Sequence, residues 1–147
     1  MRIVAAALVL LISSAALAAD APAKRFGIDP DLKTFAQATP KDTLASVLKA
    51  IEMKRADYIV AQLGDPEFVD RRVKETGYDE LLAETTAKLV TDPGAAKQLR
   101  AFLDKGTWDE KADDATVSLP EKDRTVSFRK AGGRWFLKQP YRKPAGK

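Results

Sequence analysis

The sequence predicts an α+β domain with N-terminal helices packed on one face of a C-terminal antiparallel sheet. Three observations point there. Apolar residues recur at helical spacing through residues 39–103, and the spacing changes to strict alternation after residue 114. Four dipeptides of Asp or Thr before Pro (Asp29-Pro30, Thr39-Pro40, Asp65-Pro66 and Asp92-Pro93) punctuate the helical part. In each, a side-chain oxygen can satisfy orphan amides, and the proline forfeits an N–H that the first helical turn cannot use.

Residues 20–38 read as a leader, loose at first and then one short helix from Pro30, docked through Phe26, Ile28, Leu32 and Phe35. The next helix starts at Thr39, with Asp42 placed as in a capping box and Leu44, Val47, Leu48 and Ile51 forming one stripe. A shorter helix over 56–63 turns Tyr58, Ile59 and Leu63 inward. The stretch 63–73, LGDPEFVDRRV, carries three carboxylates and two arginines. It reads as a helix start: Asp65 caps, Glu67 lies in the positive first turn, and Glu67–Arg71 and Asp70–Lys74 are spaced as i, i+4 pairs. A helix over about 78–90 presents Leu81, Leu82, Thr85 and Leu89. Another from Pro93 presents Ala96, Leu99, Phe102 and Leu103 and ends at Gly106. After the acidic stretch 109–114, three strands follow. Ala115, Val117 and Leu119 alternate inward, as do Val126 and Phe128, then Trp135 and Leu137 beyond a Gly132-Gly133 hairpin.

The first nineteen residues carry Arg2, an apolar run and an Ala16-Leu17-Ala18 site, the pattern of a cleaved export signal. Cleavage is expected after Ala18 or Ala19, giving a periplasmic or secreted protein, with retention as an anchor the alternative. The domain is expected over 39–139, followed by a basic tail over 140–147. The chain has no Cys, His or Asn. It therefore forms no disulfide and has no imidazole for a Ser-His-Asp or Cys-His mechanism or a histidine metal site. The net charge of +4 is uneven: residues 121–147 hold nine basic and two acidic side chains, while residues 20–120 are net acidic.

The segments TPKDTLASVLKAIEMKRADYIVAQL, ATVSL, TVSFRK and GGRWFLKQ resemble the nuclear transport factor 2-like superfamily, and its small exported bacterial members above all. The resemblance implies a cone-shaped domain with a curved sheet of three strands or slightly more. It also implies a cavity between sheet and helices, in which enzymes of the family commonly place an Asp, His or Tyr as acid or base. The family's usual strand or hairpin between the early helices has no counterpart here.

With histidine absent, Asp57, Tyr58, Asp70 and Tyr78 are the candidate acids and bases. Such a carboxylate works only if burial lifts its pKa. Arg129, Arg134, Lys138 and Arg142 are candidate ligands for an anion, a lipid headgroup or a cell-envelope polyanion. Phe136 alternates away from Trp135 and Leu137, so it is either covered by the leader or exposed as a homodimer contact through the sheet face. The acidic cluster Asp109, Glu110, Asp113 and Asp114 lacks calcium-loop spacing, and no metal site is expected. Neither a cofactor nor a nucleic-acid partner is expected. The functional expectation is an exported non-catalytic binding or interaction module. A cofactor-independent enzyme using a pocket carboxylate or tyrosine, and a weak binder of anionic surfaces through the C-terminal hairpin, are the alternatives.

Overall fold

The computed structural model describes residues 22–120 and 122–138. The expected signal segment and the basic tail with Arg142 lie outside the described residues. Helices come first and an antiparallel sheet follows, an α+β arrangement. Helix α1 (Pro40–Glu52) leads to a short α2 (Ala56–Tyr58) that widens into a π turn (Ile59–Leu63). Then come α3 (Pro66–Thr76), α4 (Tyr78–Thr85) with a second π turn (Thr86–Thr91), and α5 (Pro93–Lys105). Strands β1 (Thr107–Glu110), β2 (Asp114–Leu119), β3 (Lys122–Ala131) and β4 (Arg134–Lys138) form a meander in chain order.

Three of the four proline dipeptides start helices as expected. Thr39 Oγ1 accepts from Asp42 N at 3.0 Å, Asp65 Oδ1 from Glu67 N at 3.2 Å, and Asp92 Oδ1 from Gly94 N at 2.9 Å. Asp29 does not; its carboxylate pairs with Lys24 at 3.4 Å. The helix expected from Pro30 is a single turn, closed by Phe35 N on Asp31 O at 2.9 Å and Thr34 N on Asp31 Oδ1 at 3.0 Å. The following start at Thr39-Pro40 comes too soon for a second turn. Of the leader's apolar residues, Phe35 and Ile28 pack on the core, whereas Leu32 and Phe26 stay largely exposed.

The inner sheet face is filled. Ala115, Val117, Phe128, Trp135 and Leu137 pack against Leu44, Val47, Ala50 and Ile51 of α1 and Phe102 of α5. This is the alternation the sequence predicts. A second apolar cluster, Val60, Val69 and Leu81 with Phe68, Val73, Tyr78 and Leu82, joins α3 and α4 to the first π turn. The sheet has one strand more than the three read from periodicity. In β1 only Trp108 turns inward, against Phe128 at 5.6 Å, so no alternation marks it among the acidic residues that follow.

The free edge of β4 is closed by distant backbone and side chains. Trp135 N donates to Gln37 O at 3.0 Å, Trp135 O accepts from Gln37 Nε2 at 2.8 Å and Thr43 Oγ1 at 3.1 Å, and Asp65 N donates to Leu137 O at 2.9 Å. Capping this edge removes a template for strand addition. The cap residue Asp65 is also the anchor: buried, it accepts from Arg129 Nη2 at 2.6 Å, while Glu67 meets Arg129 Nη1 at 3.2 Å. The long-range partners of Glu67 and Asp70 are thus Arg129 and Arg25, on sheet and leader.

Asp65→Ala removes both the helix cap and the main acceptor for a largely buried guanidinium. It should lower unfolding stability by about 2–3 kcal/mol in urea titration; a loss under about 0.5 kcal/mol, the scale of an ordinary surface change, would contradict the anchoring role. Gly106, between α5 and β1, has no room for a methyl, because an added Cβ would overlap the Phe102 carbonyl and a Val117 methyl. Gly106→Ala should cost about 1–3 kcal/mol through this overpacking, and unchanged thermal stability would refute it.

Candidate anion-binding site around Arg134

Within the apolar run IVAQL, Gln62 is the one polar side chain, and it is fully buried in the first π turn. A buried amide must find partners for both its ends. The wider turn, marked by Gly64 N on Ile59 O at 2.8 Å, places Gln62 where it can. Its Nε2 donates to Ala23 O at 3.1 Å and Ile28 O at 2.8 Å, both in the leader. Its backbone carbonyl accepts from Gln37 Nε2 at 3.0 Å. Between Ala23 and Ile28 the leader folds back on itself. Arg25 and Ile28 exchange backbone hydrogen bonds of 3.1 and 2.8 Å across Phe26 and Gly27, both at positive φ. A two-residue turn of this hand demands that conformation, and Phe26 adopts it while stacking on Tyr78 at 4.8 Å.

Arg134 opens β4 and reaches into this amide cluster. Its Nη1 donates to Gln37 Oε1 at 3.1 Å and, more weakly, to Gln62 Oε1 at 3.4 Å, and its guanidinium lies 4.9 Å from the Phe136 ring centroid. The side chain is half-buried, and no carboxylate among the described residues pairs with it. Burial pushes its pKa down, the Tyr58 hydroxyl works partly the other way, and the nearby Arg25 guanidinium adds a smaller lowering. A guanidinium so placed remains charged, since its ordinary pKa lies far above neutrality. It is a cation short of an anion.

The other basic candidates differ. Burial would lower Arg129, but its hydrogen bonds to Asp65 and Glu67 outweigh it and hold its pKa above the ordinary value, so both terminal nitrogens already meet carboxylates. Its Nε alone is buried without an acceptor. Lys138 is exposed, opposite Ser127 on the outer face. The expectation that Phe136 could be an exposed dimer contact is corrected: the ring is only 2% exposed. Its side of the strand, away from Trp135 and Leu137, is as the alternation predicts, and it pairs with Arg129 across the ladder. Cover for that face was the part alternation could not reveal.

The four candidate acids and bases are all engaged. Asp57 is clamped by Arg55, Nε to Oδ1 at 2.8 Å and Nη2 to Oδ2 at 3.0 Å; these bonds hold its carboxyl below the usual range, opposite to what a general base at neutral pH needs. Asp70 is half-exposed and pairs with Arg25 at 2.6 Å. Tyr58 is buried, stacks on Phe35 at 4.1 Å, and accepts from Asp31 N at 2.9 Å. Tyr78 is half-buried, stacks on Phe26 at 4.8 Å and packs against the Val60, Val69 and Leu81 cluster. Elsewhere, α4 and the second π turn line an open groove of about 540 Å³ between Asp79, Leu82, Ala83, Thr86, Ala87 and Thr91, which carries no converging charges. Among the described residues, no three acidic side chains converge as a metal site, and no helix is long and apolar enough to cross a membrane.

Burial raises the pKa of both Tyr58 and Tyr78 above the ordinary 10.0. The folded chain therefore holds these protons more tightly than the unfolded one. The associated stability is complete below pH 10 and falls as pH rises through the folded values. In absorbance titration at 295 nm, the difference between the parent chain and Tyr58→Phe should show a midpoint above 10; a midpoint at or below 10 would contradict the burial argument.

No family model, no curated protein and no solved structure matches this chain.

Proposed function

We propose that this protein is an exported, non-catalytic binding module that receives a small anionic group at Arg134. One observation carries the reading: a half-buried guanidinium whose hydrogen-bond partners among the described residues are the neutral amide oxygens of Gln37 and Gln62. Guanidinium groups removed from water are ordinarily matched by a carboxylate, as Arg129 is by Asp65. Here two fixed amides orient the fork without neutralising it, and an incoming oxyanion would supply the missing charge through charge-assisted hydrogen bonds. The catalytic alternative draws less support. The inner sheet face is occupied by Val117, Phe128, Trp135 and Leu137, and Asp57 and Asp70 are held as ion pairs. Kinship with nuclear transport factor 2-like domains remains part of the proposal. Its support is the order of helices before an antiparallel sheet, and the terminal Arg134-Trp135-Phe136-Leu137 strand.

Calorimetry with sodium acetate and sodium phosphate, at constant ionic strength, tests the reading. The parent chain should bind at least one of the two, and Arg134→Gln should lose at least tenfold in affinity while keeping its far-ultraviolet spectrum. Binding of equal strength by the variant, or no binding by the parent chain, would overturn it.

A further inference from the structure

Arg134 is not the only guanidinium at this place. Arg25 donates its Nε to Ala61 O at 3.1 Å, and Arg134 reaches the Oε1 of the very next residue, Gln62. The Gln62 amide in turn donates to Ile28 O, the same carbonyl that accepts from Arg25 N. The two cations are thus fastened to consecutive residues of one rigid, fully buried π turn. The Arg25 guanidinium lies close enough to act on the charge of Arg134, like charges repel, and among the described residues a single acid meets the pair. Asp70 meets Arg25 Nη2 at 2.6 Å and stays half-exposed, at 52%, whereas the Arg25 side chain is only 22% exposed. The cluster is therefore one positive charge in excess and accessible from the Asp70 side.

We propose that the anion bound here is a phosphoryl group, held by Arg134 and Arg25 together, with Asp70 serving as the stand-in that the ligand displaces from Arg25. This inference rests on the anion reading of Arg134 and adds the ligand's class. A monocarboxylate satisfies one guanidinium and leaves the second with Asp70. A phosphate monoester carries close to two negative charges near neutral pH and three acceptor oxygens, enough for two planar forks. Displacing Asp70 costs one solvent-screened ion pair, an interaction of small net value at this exposure. The phosphoryl group belongs either to a soluble phosphomonoester or to a lipid headgroup, since both present the same oxygens.

The experiment uses calorimetry with inorganic phosphate and with acetate, and flotation with vesicles of phosphatidylcholine with or without phosphatidic acid. Phosphate should bind at least tenfold more tightly than acetate. Arg25→Gln should lose about tenfold for phosphate and little for acetate, Arg25→Lys should recover part of that loss, and Asp70→Asn should bind phosphate more tightly than the parent chain. Flotation with phosphatidic acid that inorganic phosphate competes away assigns the lipid source; phosphate binding without flotation assigns the soluble one. Either result supports the class. If Arg134→Gln abolishes binding of both anions while Arg25→Gln and Asp70→Asn leave both unchanged, the anion site stands and the phosphoryl assignment falls. If Arg134→Gln leaves phosphate and acetate binding intact, the site itself falls.

Discussion

The Gln62 side chain is the constraint on which the rest of the arrangement depends. Buried to the last atom in an otherwise apolar turn, it must hydrogen-bond at both ends or cost the fold one or more unsatisfied groups, each worth about 1–3 kcal/mol. Its donors fix the leader at Ala23 and Ile28, and its acceptor fixes Arg134. Gln37 repeats the device beside it, joining Gln62 O, Trp135 O and Arg134. Through these two amides the leader, the π turn and strand β4 become one unit, and the guanidinium is aimed by neutral groups that leave its charge uncompensated.

Asp65 does comparable work with opposite electrostatics. It begins α3, lends its N–H to Leu137 O, and neutralises Arg129 from a buried position. The contrast between the two arginines separates structure from function in this molecule. Arg129 has an acid within 2.6 Å and another at 3.2 Å, so its role is complete inside the fold. Arg134 has the orientation of such a pair without an acid among the described residues. The unused capacity lies at β4, beside the leader, rather than under the inner sheet face, where the family resemblance implied a cavity.

Features specified by neighbours in sequence were legible before any coordinates. Thr39, Asp65 and Asp92 sit directly before prolines, and their caps depend only on the next few residues. The alternation of Val117, Phe128, Trp135 and Leu137 predicted one buried sheet face correctly. What escaped notice depends on partners far along the chain. Strand β1 has one inward residue, Trp108, and is recognised only by its pairing with β2. Alternation places Phe136 on its face but leaves cover and exposure both open, because its burial depends on distant parts of the chain. Gln37 and Gln62 carry no spacing motif at all. The one available clue was a lone amide inside YIVAQL, since a polar group flanked by buried apolar ones must have partners. Arg134 was singled out from the basic C-terminal segment on composition; its distinction from Arg129 needed the location of Asp65.

Nitrogen-15 NMR of the arginine side chains tests the central claim most directly, because it reports each guanidinium separately. As phosphate is titrated in, the Arg134 Nε–H resonance should move first and furthest, with Arg25 following and Arg129 stationary in its Asp65 and Glu67 clamp. A stationary Arg134 signal, with movement confined to Arg129 or the exposed Arg124, would show that the uncompensated charge beside Gln62 is not where this protein meets an anion.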